Sequence, residues 1–302
     1  MASQTPTVFE TDYADRRLRV ETGHVAEQAG GAVVVRAADT VVLVTAVASN
    51  APREGIDFFP LTCDYEEKLY AAGRIPGSFP RREGRPSEAA ILASRMIDRP
   101  MRPLFPKDFR NDVQVVATVL SSDQETDPTT LAVFGASLAL AISGIPHAGP
   151  VGCARVGLVD GALVIHPTLQ QLATSDLDLV VCGTYDTILM VEAGAHQIPE
   201  DTMLRAMRLA HDEIRRQVEF QRGIAAQIAR PRMSYPPATV DPDVSAAVHE
   251  AVAGQIGTAA RNPDKAAREA ALDALRAGVR DRIAERFPER ASDIGKAFES
   301  EL

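Results

Sequence analysis

The chain has 302 residues, enough for one large domain or two modest ones, and 45% hydrophobic with 24% charged residues is ordinary for a globular protein. No run of about 18 apolar residues offers a membrane span, and the opening Met1-Ala-Ser-Gln-Thr-Pro lacks the basic-then-apolar order of a secretory signal. The net charge of −9 argues on average against a nucleic-acid partner.

The first seventy residues read as β. Gly31–Arg36 and Thr40–Ala48 are Val-rich runs joined at Ala38-Asp39, the pattern of a hairpin, and Pro60–Tyr65 is a further short strand. Residues 66–86, with three Gly and three Pro, read as a loop. Ser87 then serves as N-cap of a helix to about Arg99, ended by Pro100 and Pro103. Ala89, Leu92, Ala93, Met96 and Ile97 form its packed side. Val113–Leu120 reads as a buried strand, and Asp127-Pro128 opens a second helix closed by Gly144.

Asp160-Gly161 marks a hairpin between Val151–Val159 and Ala162–Ile165. Leu177–Cys182 and Thr187–Glu192 make another strand pair. From Pro199 a long amphipathic helix carries Met203, Met207, Ala210, Ile214 and Val218 on one face. Pro231, Pro236 and Pro237 mark a linker. Beyond it, Asp241-Pro242 and Asn262-Pro263 read as helix starts, and Leu272, Leu275, Val279 and Ile283 form one apolar stripe. The expectation is an α+β domain over 1–235 followed by a small all-α domain of two or three helices over 236–302.

Cys63, Cys153 and Cys182 are widely spaced and read as buried thiols of a reducing compartment, and the six His show no metal-ligand spacing, so the cytoplasm is expected. The charge is unevenly spread. Between Arg74 and Arg110 nine basic residues face four acidic ones, a surplus of five against −14 for the remainder. Arg95, Arg99 and Arg102 stand at i, i+4 and i+7, on one side of a continued helix. Upstream, Phe79-Pro80-Arg81-Arg82-Glu83-Gly84-Arg85 places an aromatic ring beside three guanidiniums. Arginine binds phosphate bidentately and a Phe face stacks on any base, which suits a sequence-tolerant path for single strands. The same pattern fits surface ion pairs with Glu88 and Asp98. Charge and spacing leave both readings open.

The run from Gly73 to Glu88, continued by Ser94-Arg-Met-Ile-Asp-Arg-Pro-Met-Arg-Pro-Leu-Phe105, closely resembles the first RNase PH-like core of the bacterial polynucleotide phosphorylase family. Asp112–Thr118, Gly144-Ile-Pro, Gly149-Pro-Val-Gly and Leu177–Thr184 support the likeness, which covers about residues 5–230, and the tail resembles that family's helical linker. The resemblance implies an RNase PH-like fold of the ribosomal-protein-S5-domain-2 type. It implies phosphate-dependent 3′-to-5′ degradation of single-stranded RNA to nucleoside diphosphates, in a homotrimeric ring with possible RNA-degradation partners. The family's Phe-Phe-Arg-Arg aperture loop matches Phe79-Pro80-Arg81-Arg82, so the second ring is missing here. RNA-binding arginines of the following helix map to Arg95 and Arg99. With Arg85 and Arg102 these make the expected RNA path.

In this family inorganic phosphate, the co-substrate, and Mg²⁺ bind in a second core that follows the helical linker, and KH and S1 modules lie beyond. The sequence in hand reaches Leu302, where that core is expected to begin. Asp127-Pro128-Thr129-Thr130 takes the place of the phosphate-cradling serines. Asp178 matches one metal-binding aspartate, but Leu172 and Val180 stand near where the other aspartate and the Lys belong. No catalytic or metal-binding residue is therefore expected here: this half guides RNA and the second core does the chemistry. The alternatives are a non-catalytic RNA-binding or scaffold protein, if the chain naturally ends at Leu302, and a protein-interaction module using the terminal helices. A monomer or weak oligomer is expected for the segment.

Overall fold

A computed structural model describes residues 5–77, 79–237 and 240–302. Ser78, inside the Gly73–Glu88 run, and most of the opening segment read for a secretory signal lie outside the described residues. The chain divides into two compact units, Met1–Pro236 and Pro237–Leu302.

The first unit holds two sheets. The strands β1 (Thr7–Tyr13), β2 (Arg16–Thr22), β3 (Gly31–Ala37), β4 (Thr40–Ala48), β5 (Leu61–Glu67) and β6 (Val113–Ser121) form the larger, in the order β1-β2-β3-β4-β6-β5. All neighbours are antiparallel except β5 and β6, which run parallel with Leu61 opposite Val113. Parallel neighbours need a crossover, and α1 (Glu88–Met101) lies in it. The helix α2 (Pro128–Ser143) is apolar all round and buried along nearly its whole length, as a helix between layers must be. It packs closely on the large sheet at Gly135, where a Cβ would stand 2.6 Å from Cγ2 of Val44, and at Ala139, whose carbonyl leaves no room for a Cβ on Gly31 of β3.

The second sheet is β7 (Gly152–Val159), β8 (Ala162–Ile165), β9 (Leu177–Gly183) and β10 (Ile188–Ala195), ordered β10-β9-β7-β8, with the short α3 (Leu169–Ala173) between β8 and β9. The β7–β8 turn has Asp160 and Gly161 both at positive φ, the geometry its Asp-Gly pair predicts. The long α4 (Glu200–Ile228) sets Ala206, Ala210, Ile214 and Val218 against this sheet, with Met203 and Met207 partly buried beside them.

Three local expectations are corrected. Pro100 does not end α1: it sits in the last turn, buried, and the chain continues through a 3₁₀ turn at Arg102–Leu104. A proline there removes only one hydrogen bond near an end already short of partners. The packed side of α1 is Ala90, Ala93, Ile97 and Met101, while Ala89 and Leu92 are exposed. Within 66–86, Leu69–Ala72 forms a 3₁₀ turn.

The second unit is α5 (Pro242–Val252), α6 (Gln255–Ala260), α7 (Lys265–Ala284) and α8 (Ala291–Glu301), four helices among the described residues rather than two or three. Their core joins Val244, Val248, Val279, Ile283, Ile294 and Phe298. The cap of α7 is Asp264, whose carboxylate accepts from the amide of Ala267 at 2.7 Å. Asn262, the expected cap, instead accepts from the Asp264 amide and turns the chain one step earlier.

Candidate nucleic-acid interface

The hydroxyl of Ser87 accepts from the Ala90 amide at 3.1 Å and starts α1 where the sequence indicates. With Ala90, Ala93, Ile97 and Met101 buried, the helical period turns Arg95, Arg99 and Arg102 outward, spread over about 10.5 Å of helix axis. They border an open groove of about 490 Å³ whose other wall is Leu61, Thr62 and Cys63 of β5. Burial pushes the Cys63 thiol up, so it contributes no negative charge there.

The three arginines differ in what they already hold. Arg102 is already engaged: Nε and Nη2 donate to Asp98 at 2.8 and 2.5 Å, and its terminal nitrogens reach the carbonyls of Phe59 and Leu61 at 3.3 and 3.1 Å. Arg99 Nη1 donates to Glu192 Oε2 of β10 at 3.2 Å, both side chains being about half exposed. Arg95 is exposed and has no carboxylate partner among the described residues. Arg95 is thus the freest cation of the groove, Arg99 one that a weak surface pair holds, and Arg102 a structural tie between α1 and β5.

The upstream loop occupies a separate place. Phe79 is fully exposed, and Arg81, at φ 52°, turns its guanidinium back onto the Pro76 carbonyl at 3.3 Å. Arg82 is exposed. Glu83 ties the loop down by accepting from the Leu69 amide at 3.0 Å. Arg85 lines a different cavity, at the other end of α1 from Arg99. The structure therefore sorts the seven expected residues into a helix groove, a loop tip and a cleft, where the sequence suggested one track.

The place expected for a degenerate phosphate and metal site is closed by a residue the sequence reading passed over. Asp127 caps α2, accepting from the Thr129 amide at 2.9 Å. Its other oxygen takes Nη1 of Arg155 at 2.9 Å, while Nε and Nη2 of the same guanidinium hold Asp178 at 2.7 and 2.6 Å. Burial alone would lower the Arg155 pKa, but the two carboxylates outweigh it and raise it. Thr130 is turned inward too: its hydroxyl donates to the Asp127 carbonyl and accepts from Tyr13. Val180 is buried. These residues do not fit a divalent cation, because a guanidinium already stands between the two carboxylates. The available signal was Arg155 itself, one charge inside the otherwise uncharged strand Gly152–Val159, which demands a buried carboxylate partner.

Beneath this lies a buried polar chain. Tyr13 stacks on His166 with ring centroids 3.8 Å apart, and His166 lies 3.9 Å from Glu213, itself held by Arg216 and Gln217. Burial pulls His166 down to about 3 and pushes Glu213 up. No group of three or more His, Cys, Asp or Glu among the described residues is placed to hold a metal ion.

Comparison with known proteins gives a consistent picture. Residues 14–146 match domain 1 of the 3′ exoribonuclease family and residues 149–213 match domain 2. A polyribonucleotide nucleotidyltransferase from Heliobacterium modesticaldum is 52% identical over 287 residues, covering 95% of this chain and 40% of the relative. Proteins of the same name from Syntrophomonas wolfei and Thermomicrobium roseum are 50% and 51% identical, over 93% and 94% of this chain and 40% and 36% of their own lengths. The chain spans about two fifths of the relatives it matches.

Proposed function

Because this chain belongs to the 3′ exoribonuclease family, we propose that it guides single-stranded RNA in a phosphate-dependent 3′-to-5′ exoribonuclease while another part of the complete protein performs the phosphorolysis. The observation that carries the guiding role is the outward arginine face of α1, with Arg95 unpaired over an open groove. A guanidinium there meets backbone phosphates irrespective of sequence. Phe79, fully exposed at the loop tip, adds one stacking surface for a base, and Arg82 adds a charge beside it.

The guiding-only part of the reading is supported by Arg155. With Asp127 and Asp178 both held by it, this half offers neither the anion cradle nor the paired carboxylates that phosphorolysis with Mg²⁺ requires. In the complete protein, inorganic phosphate and Mg²⁺ would then bind in the second core. A cytoplasmic homotrimer with partners in RNA degradation is part of the same proposal.

Incubating this chain with poly(A), inorganic phosphate and Mg²⁺ tests the division of labour. The expected result is retention of poly(A) with no release of nucleoside diphosphate. Diphosphate release by this chain alone overturns it.

A further inference from the structure

The cavity that takes Arg85 lies apart from the groove of Arg95 and Arg99, about 18 Å along α1 if measured from Ser87 to Arg99. It opens at the carboxyl ends of β5 and β6, the one parallel pair of the large sheet, where α1 and α2 both begin. Sheets with parallel strands and following helices place ligands at such ends. The cleft measures about 730 Å³, within the roughly 300–1,000 Å³ of small-molecule sites.

Its lining has two chemistries. Leu69, Ala72, Pro86, Ala90, Val119 and Leu169 give an apolar surface, and Leu169 at its edge keeps 39% exposure. The charges are three basic residues, Lys68, Arg74 and Arg85, and three acidic ones, Glu66, Glu67 and Glu83. They do not simply cancel. Glu66 holds Lys68, Glu67 accepts from the Tyr65 hydroxyl at 2.8 Å, and Glu83 accepts from the Leu69 amide at 3.0 Å. Each glutamate is thus engaged within the wall, whereas Arg74 and Arg85 have no carboxylate partner among the described residues. Glu67 and Glu83 each spend one oxygen in these bonds, and the second remains an acceptor. Two free guanidiniums, an apolar surface of Leu69, Val119 and Leu169 and spare carboxylate acceptors suit a ligand with a phosphate, a flat base and hydroxyl or amino donors.

We propose that this cleft is a nucleotide-binding site, with Arg74 and Arg85 on the phosphate and the base against the Leu69, Val119 and Leu169 side. The same chemistry is offered by a free nucleoside diphosphate and by the terminal nucleotide of an RNA strand. The proposal stands on the cleft's own lining and uses residues distinct from the α1 groove.

The test is calorimetric titration of the full chain with ADP, repeated with the Arg74→Ala/Arg85→Ala variant and with the Arg95→Ala/Arg99→Ala variant. All four side chains are exposed, so the variants are expected to fold. Saturable ADP binding that weakens roughly tenfold or more in the first variant, as loss of charge-assisted hydrogen bonds requires, and stays unchanged in the second supports the site. Competition between a short oligoadenylate and ADP assigns the cleft to an RNA end, and absence of competition assigns it to the free nucleotide. No ADP binding at millimolar concentration, or equal binding by wild type and Arg74→Ala/Arg85→Ala, overturns the proposal. RNA binding lost only in Arg95→Ala/Arg99→Ala bears on the α1 groove alone, so the two readings fail separately.

Discussion

Arg155 Nη1 stands 2.9 Å from Asp127 Oδ2, so that a strand of the small sheet neutralises the capping residue of the central helix. The same guanidinium grips Asp178 with two further bonds, which makes Arg155 the hub of a three-membered charge group. Replacing Arg155 by Met strands the mostly buried Asp127 carboxylate. The expected cost is about 3 kcal/mol, at the low end for breaking a buried pair because Asp178 stays partly exposed. Neutralising Asp127 as well, in Arg155→Met/Asp127→Asn, should restore much of that loss while keeping the cap. Chemical denaturation of the three proteins checks it. Wild-type stability should also be indifferent to millimolar Mg²⁺.

Glu192 of β10 restrains Arg99. Because both side chains are about half exposed, Glu192→Gln should leave stability nearly unchanged, yet it should tighten single-stranded RNA binding about three- to fivefold by releasing one cation. Arg102→Ala should behave oppositely, lowering the melting temperature through loss of its ties to Asp98 and the Phe59 and Leu61 carbonyls, with a small effect on RNA. Paired melting and binding curves separate the two roles.

The exposed ring of Phe79 is a surface apolar group with no packing to lose. Phe79→Ala should not reduce stability but should weaken RNA binding by about 1–3 kcal/mol if one base stacks there. Pro80→Phe, which adds a neighbouring ring, should strengthen it. Fluorescence quenching of a labelled oligoadenylate reports both changes.

His166 and His147 are buried and neutral, held down to about 3 and about 4 by burial. Their folded pKa values lie below the unfolded value near 6.5, so the unfolded chain binds protons first as the pH falls. Stability is therefore full above about pH 6.5 and declines below it, by up to about 1.4 kcal/mol per pH unit for each histidine. Glu213, raised by burial, acts in the opposite sense and shallows the slope in the carboxylate range. Asp123, where hydrogen bonds from Thr126, Glu125 and Thr40 outweigh burial and hold the carboxyl at about 2, extends the loss to still lower pH. Urea titrations across this range should show the decline, and His166→Gln should flatten it.

Where local signals are strong, the chain is legible. The Asp-Gly and Ala-Asp turns, the Ser87 and Asp127 caps and the Gly144 stop all fall where the residue types put them. The packed side of α1 departs from its apolar pattern by about one residue, because Leu92 is apolar yet exposed and the helix runs on through Pro100. The site was harder to read. Which arginine is free depends on carboxylates far away in sequence: Glu192 for Arg99, Asp127 and Asp178 for Arg155. Only the packing of β10 beside α1, and of β7 between α2 and β9, brings those pairs together.

The central claim is that the outward arginines of α1 hold the RNA backbone, and its most direct test is the salt dependence of oligoadenylate binding. For wild type and for Arg95→Ala/Arg99→Ala, the affinity is measured across a range of salt concentrations. The account predicts weaker binding by the variant and a log–log slope reduced by about 0.7 for each phosphate that the variant no longer neutralises. An unchanged affinity and an unchanged slope would contradict it.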